Sequence, residues 1–119
     1  MRPLIIKCTT GAEAPERCNQ AFTVAASGVA AGADVSLWLT GEAAWFAVPG
    51  RAEQFELELA TPLAELRDIV LGGGTLTVCS QCAARRGIGE LDLVEGARIA
   101  GAAVFTEQAL ADDAQALVY

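Results

Sequence analysis

Two cysteines, Cys79 and Cys82, carry the most pointed chemistry in the chain, within the stretch Val78-Cys79-Ser80-Gln81-Cys82-Ala83-Ala84-Arg85-Arg86-Gly87-Ile88. The residues leading to Cys79, Thr75-Leu76-Thr77-Val78, are apolar and β-branched and read as a strand. Ser80–Arg86 follows as about two helical turns, closed by Gly87, with Arg85 and Arg86 near the negative end. A sulfur at such a junction caps the helix, facing its free N–H groups and the positive end of its dipole. Both favour the thiolate over the thiol. The thiolate is the species that attacks a sulfane sulfur or a disulfide. Cys82 lies one turn further on the same side, placed to resolve a persulfide or mixed disulfide held on Cys79.

Other readings of the cysteines compete. Free cysteine often packs as a small hydrophobe, and the pair can be core. Cys8 and Cys18 could complete a four-thiolate zinc set with it, but nine residues separate them, unlike the tight pairs of zinc ribbons. No metal site is expected. Cys8 falls near the carboxyl end of the first strand, the same edge as Cys79, so the two could approach each other. Cys18 falls on the apolar stripe of the first helix and reads as core. Thr9-Thr10-Gly11 could offer backbone N–H groups to an anion, yet Glu13 and Glu16 crowd that end with negative charge. Gly72-Gly73-Gly74 precedes a strand instead of following one, the wrong order for a phosphate cradle. Both read as plain turns, and no cofactor is expected.

Alternating strands and helices position these groups. The expected strands are Leu4–Thr9, Val35–Leu39, Thr75–Cys79, Ala97–Gly101 and Ala116–Tyr119. A first helix starts at Pro15, with Glu16 in its first turn and Cys18, Phe22, Ala25, Ala26 and Val29 on one apolar face, and stops at Gly32. Glu42–Val48 reads as a short helix before the Pro49-Gly50 turn, Pro62–Leu71 as another, and Thr106–Asp113 as a last one capped by Thr106. Arg51–Thr61 is unreadable. This order implies βαβ units: an α/β domain with a mainly parallel sheet covered on both faces. Ligands and reactive groups of such sheets gather outside the carboxyl ends of the strands.

The bulk properties narrow the field. The 119 residues make one domain, residues 1–119, and 53% hydrophobic against 19% charged residues excludes disorder. Histidine is absent, which removes imidazole acid–base chemistry and His metal sites together. A net charge of −7 argues against nucleic acid and anionic membrane surfaces as partners. The N-terminus reaches Lys7 before a signal-peptide apolar region forms, and no apolar run approaches a membrane span, so a cytoplasmic protein with free thiols is expected. So apolar a small chain is expected to self-associate. Trp45 and Phe46, adjacent and so pointing different ways, are the candidates for a subunit contact or a pocket wall; Trp38 reads as core. Glu90, Asp92 and Glu95 read as a solvated acidic loop, on which a basic partner could dock.

At Val78-Cys79 and Arg85-Arg86-Gly87-Ile88 the sequence resembles the DsrE/DsrF-like sulfur-relay family. The likeness extends to Thr10-Gly11, Pro15-Glu16-Arg17, Ala21-Phe22, Leu37-Trp38-Leu39-Thr40-Gly41, Glu95-Gly96, Ile99-Ala100-Gly101 and the closing Asp113–Tyr119. The resemblance implies a three-layer α/β/α domain with a five-stranded parallel sheet, layered as in flavodoxin and Rossmann folds. It also implies homotrimers or hexamers, or mixed hexamers with sister subunits. In the sulfur-relay branch the cysteine matching Cys79 accepts sulfur as a persulfide and passes it to a partner protein. Cys82 departs from the best-understood relay subunits, which leaves room for a dithiol cycle. The leading expectation is a persulfide carrier on Cys79, assisted by Cys82, with donor and acceptor proteins as partners. A thiol redox protein cycling a Cys79–Cys82 disulfide and a non-catalytic oligomeric binding subunit are the alternatives.

Overall fold

The computed structural model describes every residue from Met1 to Tyr119. Five strands, β1 (Pro3–Cys8), β2 (Asp34–Leu39), β3 (Thr75–Cys79), β4 (Arg98–Ala100) and β5 (Gln115–Val118), form one sheet. All pairings are parallel, in the order β4-β3-β2-β1-β5. The helices are α1 (Pro15–Ala30), α2 (Leu63–Gly73), α3 (Ser80–Arg85) and α4 (Ala102–Ala109). No helix is long and apolar enough to cross a membrane.

The two-residue period of the strands divides the sheet. Leu4, Ile6 and Cys8 of β1, Val35, Leu37 and Leu39 of β2, and Leu76 and Val78 of β3 join the main core with α1 and α2. Helix α1 supplies Cys18, Ala21, Phe22, Ala25 and Ala26 to it, as its three- and four-residue spacing requires. The opposite face carries Ile5, Lys7, Ser36, Trp38, Thr75, Thr77 and Cys79. One short helix, α4, packs there: Phe105 meets Trp38 edge to face at 5.4 Å, and Trp38 Nε1 donates to Gln108 Oε1 at 2.8 Å.

The last helix corrects the sequence reading. Thr106, expected as its cap, sits mid-helix and donates its hydroxyl back to the Ala102 carbonyl at 2.9 Å. The helix starts at Ala102, directly after Gly101, because the chain must recross the whole sheet from β4 at one edge to β5 at the other. The helix expected over Glu42–Val48 forms as a 3-10 helix, Gly41–Ala47. Phe46 turns into the core against Phe22 and Phe55, whereas Trp45 stays half-buried under the Arg51 guanidinium at 4.2 Å. Phe46 is therefore a core residue, and of that pair Trp45 is the one left for a contact outside the chain.

The unreadable segment 51–61 contains one 3-10 turn, Ala52–Gln54, and is fastened by an ion pair. Arg67, buried on α2, bonds both carboxylate oxygens of Glu53, at 2.9 and 3.2 Å. That bond holds the Glu53 carboxyl below its ordinary range. Glu53 is half exposed, so Arg67→Leu is expected to cost only about 1–2 kcal/mol. A carboxyl depressed in the folded state stabilises above its unfolded value of ~4.3 and stops doing so as pH falls through the folded value. Chemical denaturation should show the gap between wild type and Arg67→Leu shrinking from neutral pH to pH ~3; an equal gap at both would contradict the assignment.

Candidate functional site

The carboxyl edge of the sheet is where the strands deliver their chemistry. Strand β3 lies between β2 and β4, so its end is flanked on both sides. Val78 faces the main core, and Cys79, one residue on, faces the α4 side at the edge opposite Ala100. Backbone hydrogen bonding passes directly to α3, for which Cys79 is the N-cap residue in extended conformation. Gly87 closes that helix with a φ of +66°, the left-handed conformation that suits glycine.

Cys79 is half-buried and Cys82 likewise. Cys79 Sγ forms no complete cap hydrogen bond, contrary to the expectation from sequence. Its surroundings still favour the charged form. Burial is the largest influence and pushes its pKa up; the backbone N–H groups of Cys82 and Gln81, the Cys82 side chain and the Lys7 charge pull it down, and the net direction is down. Because α3 has only six residues, these nearby N–H groups carry the effect more than an extended helix dipole does.

Cys82 is held from the other side. Its sulfur accepts the Gly41 N–H at 3.2 Å. Gly41 has a φ of +55°, and a Cβ there would lie 2.8 Å from the Thr9 carbonyl oxygen, so only glycine presents the N–H in this way. Arg86 ties the same helix down, bonding Glu42 Oε2 at 2.8 Å and the Cys82 carbonyl at 3.1 Å. The Cys82 side chain in turn acts on the Cys79 sulfur, favouring its thiolate.

Cys8 does not approach Cys79. It points through the other face of the sheet, fully buried, where its thiol donates to the Thr10 carbonyl at 3.2 Å. Its close partner is Cys18, whose pKa is pushed up by the hydrogen bond with Cys8 and by burial. Sequence spacing put Cys18 on the core face correctly but gave no sign that these two sulfurs meet. No group of three or more candidate ligands is assembled as a metal site.

Lys7 is the residue that sequence reasoning passed over. It is the only lysine in the chain and the one charged residue inside β1, which is the signal that could have found it. It shares the face of Cys79, and its ammonium sits 4.1 Å from the centroid of the Phe105 ring. The largest cavity, about 640 Å³, lies between α1 and residues 56–60, lined by Glu16, Asn19 and Glu58 among others, and holds neither thiol. A smaller one of about 280 Å³ is walled by Trp45, Phe46 and Phe55 with Glu13, Glu42 and Arg51. The expected pocket-wall role of Trp45 and Phe46 is thus met, Phe46 presenting to it the margin of a core ring.

The comparisons with known proteins agree with this architecture. The model of the DsrE/DsrF-like family matches residues 3–116. No curated protein matches. The crystal structure of the YchN protein from E. coli is similar over all of both chains, with a TM-score of 0.83 at 18% identity. A protein of unknown function from Methanobacterium thermoautotrophicum, MTH1491, also aligns over the whole of both chains, at a TM-score of 0.66 and 10% identity. A conserved protein of unknown function from Bacteroides thetaiotaomicron, BT1422, gives 0.65 at 15% identity, covering 98% of this chain and 94% of its own. At such identities the likeness is one of fold.

The thiol environments separate the four cysteines in a way that alkylation measures. In native protein Cys79 should react first, with a rate that rises through a midpoint below the ~8.5 of an ordinary thiol. Cys8 and Cys18 should react only after unfolding. Peptide mapping of iodoacetamide-treated protein across pH tests this; labelling of Cys8 ahead of Cys79 would contradict it.

Proposed function

The chain belongs to the DsrE/DsrF-like family, and from that premise we propose that it is a cytoplasmic sulfur carrier, holding sulfane sulfur as a persulfide on Cys79. Family membership supports a sulfur-relay type of role in general. The observation that carries the finer reading is the half-buried Cys79 thiol at the end of β3, in surroundings that favour its thiolate.

Loading is a displacement at sulfur. The Cys79 thiolate attacks the outer sulfur of a donor persulfide, R–S–SH; the donor S–S bond breaks as the new one forms, leaving R–S⁻ and Cys79–S–SH. Delivery is the same reaction in the other direction: an acceptor thiolate attacks the outer sulfur and Cys79 leaves as thiolate. No electrons are gained or lost in either step. Lacking histidine, the chain supplies no imidazole, so surroundings that favour the Cys79 thiolate take the place of a general base.

The Cys82 side chain within reach of Cys79 favours a second reading, a dithiol cycle. The Cys82 thiolate would attack the inner sulfur of the Cys79 persulfide, close a Cys79–Cys82 disulfide and expel HS⁻; a dithiol reductant must then restore the thiols. Intact-mass measurement after incubation with sodium tetrasulfide separates the readings. A carrier gains a single sulfur atom on Cys79, absent in Cys79→Ala and kept in Cys82→Ser. Loss of two hydrogens, with sulfide released and no lasting adduct, would instead assign a redox cycle. An adduct undiminished by Cys79→Ala would overturn both.

A further inference from the structure

We propose that Lys7 is a positioning residue for Cys79: held against the ring of Phe105, its ammonium supplies the positive charge that stabilises anionic sulfur at the end of β3. The proposal rests on the carrier reading for its purpose but on the α4-side face for its evidence.

That face is assembled laterally. Lys7 of β1 is in register with Trp38 of β2, and Trp38 with Thr77 of β3, two residues before Cys79. A lysine stem rooted on β1 can thus lie across β2 toward the end of β3. Its ammonium is not left to wander: the Phe105 ring holds it at 4.1 Å, and Trp38 in turn holds Phe105, with its own indole anchored on Gln108. A cation over an aromatic face keeps its charge while giving up conformational freedom.

The charge is also uncompensated. The chain carries 15 acidic side chains against 8 basic ones, yet no carboxylate pairs with Lys7. With the Phe105 ring as its only partner, the half-buried Lys7 ammonium keeps a charge that no carboxylate cancels. The charge of Lys7 acts on the Cys79 sulfur in the direction of the anion. Other groups near Cys79 do not offer the same service. Cys82 faces it from α3 and is itself occupied by the Gly41 N–H. Arg98 of β4 keeps its charge, but it is exposed, donates to the Thr77 hydroxyl at 3.1 Å and is not among the groups that act on the Cys79 sulfur. Helix α4 brings one titratable side chain, Glu107, which is exposed.

A fixed ammonium serves both ends of the cycle. It stabilises the thiolate that accepts sulfur and the persulfide anion that holds it, keeping the loaded sulfur in the charged form. The test uses the full chain carrying Cys82→Ser, so that Cys79 is the one accessible thiol. Lys7→Met keeps the stem and removes the charge; Lys7→Arg keeps the charge. Circular dichroism confirms that each is folded.

Lys7→Met should raise the midpoint of the pH–alkylation profile by about half to one pH unit and slow tetrasulfide loading near neutral pH severalfold. Lys7→Arg should restore most of both. An unmoved midpoint in Lys7→Met, or equal shifts in the Met and Arg variants, would overturn the role of the charge. The two claims fail separately. If the midpoint moves as expected but no variant, wild type included, takes up sulfur, Lys7 keeps its assignment and the carrier reading falls. If loading occurs and ignores the charge at position 7, the carrier reading stands and the assignment of Lys7 falls.

Discussion

The functional edge depends on one geometric constraint, the two-residue alternation of β3 up to its last residue. Leu76 and Val78 must be buried in the main core beside α2, and that requirement turns Thr77 and Cys79 to the other face. A one-residue slip would bury Cys79 in the apolar core and put Val78 at the edge. Burial of β3 between two neighbours makes the slip costly, because pairing with both β2 and β4 is fixed by the same register. The position of the thiol is therefore specified by hydrophobic packing far larger than anything the sulfur contributes.

The same alternation on β1 separates two kinds of sulfur chemistry. Cys8, on the core face with Ile6, meets Cys18 of α1 and is sealed from solvent. Lys7, its neighbour, is turned to the face of Cys79. Adjacent residues of one strand thus feed a dry thiol pair on one side and a charged, half-open site on the other. In a chain without imidazole, a thiol's reactivity is set by the placement of backbone N–H groups and of nearby Lys or Arg charges.

Much of this was legible in the sequence because local chemistry and global fold agree there. The β-branched run ending in Cys79, the Gly87 stop and the apolar stripe of α1 each satisfy a short-range rule, and the parallel five-stranded sheet follows from their order. What escaped depended on long-range geometry. The start of α4 is set by the need to recross the sheet, which no capping residue announces, and Thr106 misled because its hydroxyl bonds within the helix. Segment 51–61 is fastened by the distant Arg67, and the Cys8–Cys18 contact comes from the packing of α1 on β1. Lys7 reads in the sequence as a charge that ends an N-terminal apolar run; its place on the Cys79 face, one strand away from β3 across β2, comes from the lateral register.

The central claim, that Cys79 stores sulfur for transfer, is tested most directly by a chase with isotopically labelled sulfur. Protein loaded from labelled tetrasulfide, freed of excess donor and then given an excess of a small acceptor thiol should lose its label from Cys79 to that acceptor as persulfide, returning the thiol form unchanged. Label that stays on the protein, leaves only as free sulfide with an oxidised Cys79–Cys82 pair behind it, or never resides on Cys79 would contradict the account.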